Sequence, residues 1–288
     1  MSARGAVKDR GLLLRRVPFG NTSLVVHVLF RERGRRELMA KGAYRPKSRL
    51  SGVLDWFDEL ELSWTEQAAP SSRRRGTVQR NALGQVRTGA LEVRRRGPTR
   101  SLAAYRAASA MTELMEVATR HGAAERAHFE LLSAGYDALP PEDGPGAQTA
   151  AHAALASFEL SLAGELGLFP ALEQCAVCGE PAPPVRGGAA PRAAFSATLG
   201  GRLCREHAEE ARARAVRVGT LPVTTLEAAA RLGAAPIARA LEALGPDAER
   251  LAPRVLDLTG RFLDRQLETR PKSRARFLAA PDRNRAPR

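Results

Sequence analysis

Four residues in this chain have the types and spacing to hold a metal ion. Cys175 and Cys178 lie in EQCAVCGE, and Cys204 and His207 lie in GGRLCREHA, giving the pattern Cys-x2-Cys-x25-Cys-x2-His. Thiolates and imidazole are the usual donors of a tetrahedral zinc, and two short gaps let two tight turns aim four donors at one Zn2+. With all four positions filled by protein, no place remains for a reactive water, so the expected role is structural rather than catalytic. Gly179, directly after the first pair, permits the backbone curl such a turn needs. A redox reading of Cys-x-x-Cys requires a βαβ context, whereas Cys175 follows a helical stretch. The long inner loop is rich in Pro and Gly, and an ion there would order a segment with little core of its own.

The second chemistry-bearing set is cationic. Arg15 and Arg16 sit in GLLLRRV, and RERGRRELMAKGAYRPKSRLSG supplies Arg31, Arg33, Arg35, Arg36, Lys41, Arg45, Lys47 and Arg49. The chain carries a formal net charge of +14 over 288 residues, and the excess is segregated. Residues 1 to 100 hold 22 Lys+Arg against 9 Asp+Glu, and residues 270 to 288 hold 7 against 1, while residues 101 to 269 hold 16 against 21. A basic amino-terminal region on a more neutral scaffold is the pattern of a polyanion-binding domain. Codon bias accounts for Arg in place of Lys but not for the excess over acids. On a strand-turn-strand these charges can follow a phosphate backbone, with Tyr44, Phe30 or Trp56 offering a face to a base, although Trp56 and Trp64 also read as barrel core. About five phosphate contacts would give a single-strand salt slope of about −3.5. Two Arg-Arg-Arg tracts, at 73 to 75 and 94 to 96, read equally well as further contacts and as solvated spacers.

These groups must be positioned by two kinds of architecture. GLLLRRV, LVVHVLF, RRELMAKG, DELELSW and LGQVRTGALEVRR are strand-length runs divided by turn residues, with Leu60, Leu62 and Trp64 on one side of the fourth and Glu59, Glu61 and Ser63 on the other. Five strands without a crossover helix suggest a small antiparallel barrel, and an OB-fold fits, a fold that commonly binds single strands in a basic groove. From Ser101 the apolar spacing changes to three and four. Helices are expected over SLAAYRAASAMTELMEVATRHG, AERAHFELLSAGYDALP and QTAAHAALASFELSLAGELG, and again near residues 205 to 215, 223 to 232 and 248 to 268. The expected fold class is α+β and multidomain: an OB barrel over residues 1–97, a mostly α-helical domain over 98–278 with an inserted zinc module at 175–207, and a basic flexible tail over 279–288.

Signatures of catalysis are absent: no phosphate-binding Gly-x4-Gly-Lys-Ser/Thr loop, no dinucleotide fingerprint, no His-Glu-x-x-His. Asp55, Asp58, Glu59 and Glu61 in DWFDELE raise a metal-dependent nuclease as an alternative, but their alternation with apolar residues reads as the wet face of a strand. His27, His121, His128 and His152 read as packing or surface residues. All three cysteines belong to the one cluster, no apolar run approaches the roughly 18 residues that span a bilayer, and the start MSARGAVKDRG lacks a signal segment, so the expected location is cytoplasmic, with the nucleoid following from DNA binding.

The order of these parts resembles the RecO family of bacterial recombination mediators. The likeness rests on GLLLRRVPFGNTSLVVHVLFRERGRRELMAKGAYRPKSRLSG, CAVCG, GGRLCREH and KSRARFL, of which KGAYRPKSR is the most distinctive. The resemblance implies a non-enzymatic protein that binds single- and double-stranded DNA, anneals complementary strands without ATP, and helps RecA load onto strands covered by single-strand-binding protein, with RecR and RecF as partners. It departs at the fourth ligand, where relatives often carry cysteine and this chain carries His207. An RNA-binding OB protein is the remaining alternative.

Overall fold

The computed structural model of the chain describes residues 6–66, 83–123, 126–184 and 190–278. The arginine tract at 73 to 75 and the tail 279–288 lie outside the described residues. Of those described, residues up to Arg95 together with Met115–Ser133 form one compact unit, and Arg96–Leu114 together with the residues from Ala134 onward form another.

Five strands build the first unit: β1 (Val7–Phe19), β2 (Ser23–Phe30), β3 (Gly34–Ala40), β4 (Glu59–Thr65) and β5 (Gly84–Val93). They close into a barrel in the order β1-β2-β3-β5-β4, antiparallel except for the β3–β5 pair, which is the OB-like order. Closure is possible because β1 is long enough to pair on both sides: Leu12 faces Leu29 of β2 and Glu59 of β4. A register shift between Leu13 and Arg15 bends β1 around the core. Period-two alternation fills the interior with Leu13, Val26, Val28, Leu38, Leu60 and Leu62, and Phe30 stacks on Trp64 with ring centroids 4.2 Å apart. Gly11 has a steric reason: a Cβ there would meet Val28 Cγ1 at 2.4 Å.

The acidic side of β4 differs from the sequence expectation. Asp58 and Glu59 are buried rather than wet. Asp58 accepts a hydrogen bond from the Arg95 backbone N–H at 2.8 Å, and Glu59 lies 3.9 Å from the Arg95 guanidinium and 3.5 Å from Arg10. Arg95, in the middle of the second arginine tract, also donates to Phe57 O and Ser133 Oγ. The acid cluster therefore anchors an arginine after β5, and a buried charge needs such partners.

The second unit takes its helices from α1 (Gly97–Arg100), α2 (Leu102–Ala118), α3 (Arg126–Asp137), α4 (Ala147–Glu165), α5 (Arg205–Ala213), α6 (Val223–Ala234), α7 (Ala240–Leu244), α8 (Ala248–Gln266) and α9 (Lys272–Leu278), with α2 and α3 each reaching into both units. Helix α4 is apolar nearly all round and is the buried centre, with α6 and α8 packed on it. Its one acid inside this core, Glu159, is fully buried and accepts a hydrogen bond from Thr259 Oγ1 of α8 while lying 3.4 Å from Arg274 of α9. Arg274 also pairs with Asp264. It passes over Gly260, where a Cβ would come within 2.7 Å of its guanidinium. Glu113 of α2 accepts the N–H groups of Lys272 and Ser273, so α9 is capped at its start as well as pinned through its side. A small sheet, β6 (Arg192–Ser196), β7 (Gly201–Leu203) and β8 (Gly219–Pro222), in the order β7-β6-β8, was not expected from the Pro/Gly-rich sequence around it.

Candidate metal centre and nucleic-acid interface

The four candidate ligand positions come from two tight turns. Gly179, at φ +75°, returns its N–H to Cys175 O at 2.9 Å, and the Cys175 N–H reaches Glu180 O at 2.8 Å, which curls the backbone around the first pair. Cys204 precedes α5 in an extended conformation, and His207 follows on the first turn of that helix. The two turns are held together by β7: Ala176 donates to Arg202 O at 2.8 Å, and Arg202 donates to Ala171 O at 2.8 Å. Gly201 makes that approach possible, since a Cβ there would lie 2.3 Å from Ala171 O.

As a result the three Sγ atoms and a ring nitrogen of His207 all lie within 4.8 Å of one another. Nδ1 is the inward nitrogen, 3.1 Å from Cys204 Sγ and 3.7 Å from Cys175 Sγ. Donors about 2.3 Å from a tetrahedral ion stand about 3.8 Å apart, so the arrangement fits one such ion with little adjustment. Burial pushes the Cys175 thiol up, but the backbone N–H groups of Cys178, Cys204 and Val177 aimed at it outweigh that and bring it to about 6. At Cys175 the turn thus favours a thiolate. Around it the fully packed side chains are mostly small, Ala182, Ala194, Ala208 and Ala211 beside Leu203, a thin core for a module of this size.

Of the ten cationic positions expected to follow a phosphate backbone, Arg31 is taken up by Glu130 of α3 at 2.6 Å, and the other nine have different surroundings. Lys41, Arg45, Lys47 and Arg49 all lie exposed on the turn-rich segment between β3 and β4. That segment is not loose: Ala43 and Leu54 are buried in the barrel core, and Tyr44 N–H donates to Thr22 O at 2.9 Å, setting it beside the β1–β2 turn. Tyr44 is 52% exposed there, and Phe19, at the end of β1, is 58% exposed. Arg33 is exposed at the opposite end of β2 and β3, and Arg36 is half-buried.

Arg15, Arg16 and Arg35 are engaged within the unit. Arg35 donates to the carbonyls of Glu116 and Thr119 at 2.7 and 3.1 Å, satisfying the C-terminal end of α2. Arg15 and His27 reach the Glu116 carboxylate at 3.7 and 3.1 Å. Arg16 donates to Leu54 O and stacks over Trp56 with its guanidinium carbon 4.9 Å from the ring centroid. Of the aromatic faces expected, Phe30 is core and Trp56 is covered by Arg16, which leaves Tyr44. Phe19 was missed, although its position before Gly20, at φ +59°, in the PFGNTS turn was the available signal.

Among the described residues, the gathering of His, Cys, Asp and Glu donors close enough to share an ion is this Cys3His group, and it does not include Asp55, Asp58, Glu59 or Glu61. No helix among the described residues is long and apolar enough to cross a membrane.

Two family models match this chain. The one described as recombination protein O C terminal matches residues 100–275, and the one described as recombination protein O N terminal matches residues 1–79. A protein of Anaeromyxobacter sp. (strain K) named DNA repair protein RecO is 34% identical over 276 residues, covering 94% of this chain and 95% of its own length. One of the same name from Exiguobacterium sibiricum is 30% identical over 205 residues, covering 70% and 71% respectively. A third, from Burkholderia pseudomallei, is 53% identical over a stretch of 53 residues, 18% of this chain.

Proposed function

This chain belongs to the RecO family, whose role is DNA repair and recombination, and on that premise we propose that it anneals complementary strands without ATP and assists the loading of RecA onto single strands covered by single-strand-binding protein. RecR, RecF and single-strand-binding protein are the partners this reading assigns. The observation that carries it is the barrel-edge group of Lys41, Tyr44, Arg45, Lys47 and Arg49 beside Phe19, cations and aromatic faces exposed together on a rigid support. Cations neutralise phosphates that would otherwise keep two strands apart, and aromatic faces hold bases without regard to sequence. Base pairing then selects the product, so no chemical step is required of the protein.

In the same reading Cys175, Cys178, Cys204 and His207 hold one structural Zn2+, which supplies to the β6-β7-β8 module the cross-link its small alanine core does not. The domain limits proposed are the barrel to residue 97 and the helical domain to residue 278. Against the nuclease alternative stands the engagement of Asp58 and Glu59 by Arg95.

The test is annealing of two complementary labelled strands coated with single-strand-binding protein, without ATP or magnesium, over a salt series. Acceleration that fades as salt rises, with both strands intact, is expected. Tight binding without acceleration would overturn the annealing role, and loss of labelled strand on adding magnesium would turn the reading to a nuclease.

A further inference from the structure

Helix α8 carries a second cationic surface, in the part of the chain whose overall charge is acidic. Arg250, Arg254, Arg261 and Arg265 fall at intervals of four, seven and four, which places them along one face. The opposite face, with Leu251, Val255, Leu258, Phe262 and Leu263, is buried. All four arginines are exposed. Arg254 and Arg265 have no acidic partner among the described residues. Arg250 and Arg261 have only exposed local ones, Asp247 and Asp257, each within 2.9 Å. Exposed pairs of this kind hold weakly and exchange readily for another anion. Of the other acids of this helix, Asp264 is turned toward Arg274 instead, and Glu249 is exposed in the first turn, ahead of the stripe.

The stripe runs about 22 Å along the helix, and neighbours four residues apart are separated by about 6 Å along its axis, close to the separation of successive phosphates on a nucleic-acid strand. Arginine is the cation suited to forked contact with phosphate oxygens. A membrane-surface helix would have to present its apolar face, and that of α8 is packed in the core.

We propose that the arginine face of α8 is a second nucleic-acid site that holds the phosphate backbone of a second DNA strand while the barrel edge holds the first. The inference rests on the annealing role and deepens it. Annealing needs two strands on one protein, and two separate cationic surfaces provide for both without requiring a second copy of the chain.

The experiment uses the full-length protein and two non-complementary oligothymidylates, one labelled with a donor and one with an acceptor, mixed at one chain per two strands. Energy transfer reports two strands on one protein, and anisotropy with a single strand reports the first site. In Arg254→Glu/Arg261→Glu/Arg265→Glu, with the triple alanine variant as a milder companion whose melting curve overlays the parent's, first-strand affinity should change less than about threefold. Energy transfer should fall to background, and the salt slope of second-strand capture should drop by about 2, at about 0.7 for each phosphate no longer neutralised. Undiminished transfer and annealing in both variants overturns the inference and leaves the annealing role standing. Undiminished transfer together with abolished binding to phosphatidylglycerol vesicles also overturns it, assigning the stripe to a membrane. A parent chain that binds neither strand overturns both.

Discussion

The segment from Lys41 to Arg49 and the α8–α9 seam use the same kind of side chain in opposite ways. On the barrel edge the cations are exposed and have solvent for neighbours. In the seam, Arg274 is 4% exposed, pinned by Glu159 and Asp264 above a glycine that leaves it room. The difference teaches that an arginine's contribution is set by what surrounds it. Where desolvation has been offset by buried carboxylates the residue holds the fold, and where it has not the residue is free to meet a phosphate. Arg35 lies between the extremes, its side chain 17% exposed and engaged with the end of α2.

The sharpest break of this comparison is Arg274→Ala. It leaves Glu159 buried beside α8 without its cation, and removing one partner of a buried pair costs about 3–5 kcal/mol. Denaturant unfolding should show that loss in the second unit, while strand affinity at the barrel edge, measured below the transition, stays near the parent's.

The mirror experiment is Lys41→Ala/Arg45→Ala/Lys47→Ala/Arg49→Ala. Melting should move little, whereas the single-strand salt slope should become shallower by about 2.8, at about 0.7 per phosphate. Unchanged affinity at low salt would remove the barrel edge from the account.

Acidity sharpens the seam side. Burial raises the Glu159 carboxyl from its ordinary value to about 7, against the stabilising pull of Arg274. A carboxyl raised on folding contributes most below its unfolded value of about 4.5, and that contribution is lost as pH climbs through the folded value. Glu159→Gln does not titrate, so its stability relative to the parent should improve by about 2 kcal/mol between pH 5.5 and 8. Equal pH profiles would show that the pair keeps Glu159 ionised throughout. The smallest effect expected is from Tyr44→Ala, about 1 kcal/mol of single-strand affinity, the low end for a stacked base, with duplex affinity unaltered.

Much of this was legible in the residues alone. The barrel strands announce themselves by alternation, and the helices by spacing, because each buries one face. The gathering of Cys175, Cys178, Cys204 and His207 was legible too, since Cys-x2-Cys and Cys-x2-His are local patterns made by local turns. Three features were not. The β6-β7-β8 sheet is short, and Pro and Gly around it mask any period. The engagement of Asp58 and Glu59 with Arg95 spans almost 40 residues, and no local pattern encodes which acid meets which base. The arginine face of α8 was hidden by averaging: residues 101 to 269 sum to an acidic balance, and only the helix shows that Asp264 turns inward while four arginines align outward.

The most direct test of the central claim compares single-strand affinity across a salt series for the parent, the barrel-edge quadruple alanine variant, and Arg35→Ala. A slope shallower by about 2.8 is expected for the quadruple variant and, for Arg35→Ala, lowered stability with the parent's slope. A slope that falls for Arg35→Ala and not for the quadruple variant would contradict it, placing the phosphate path on the β2–β3 face rather than at the barrel edge.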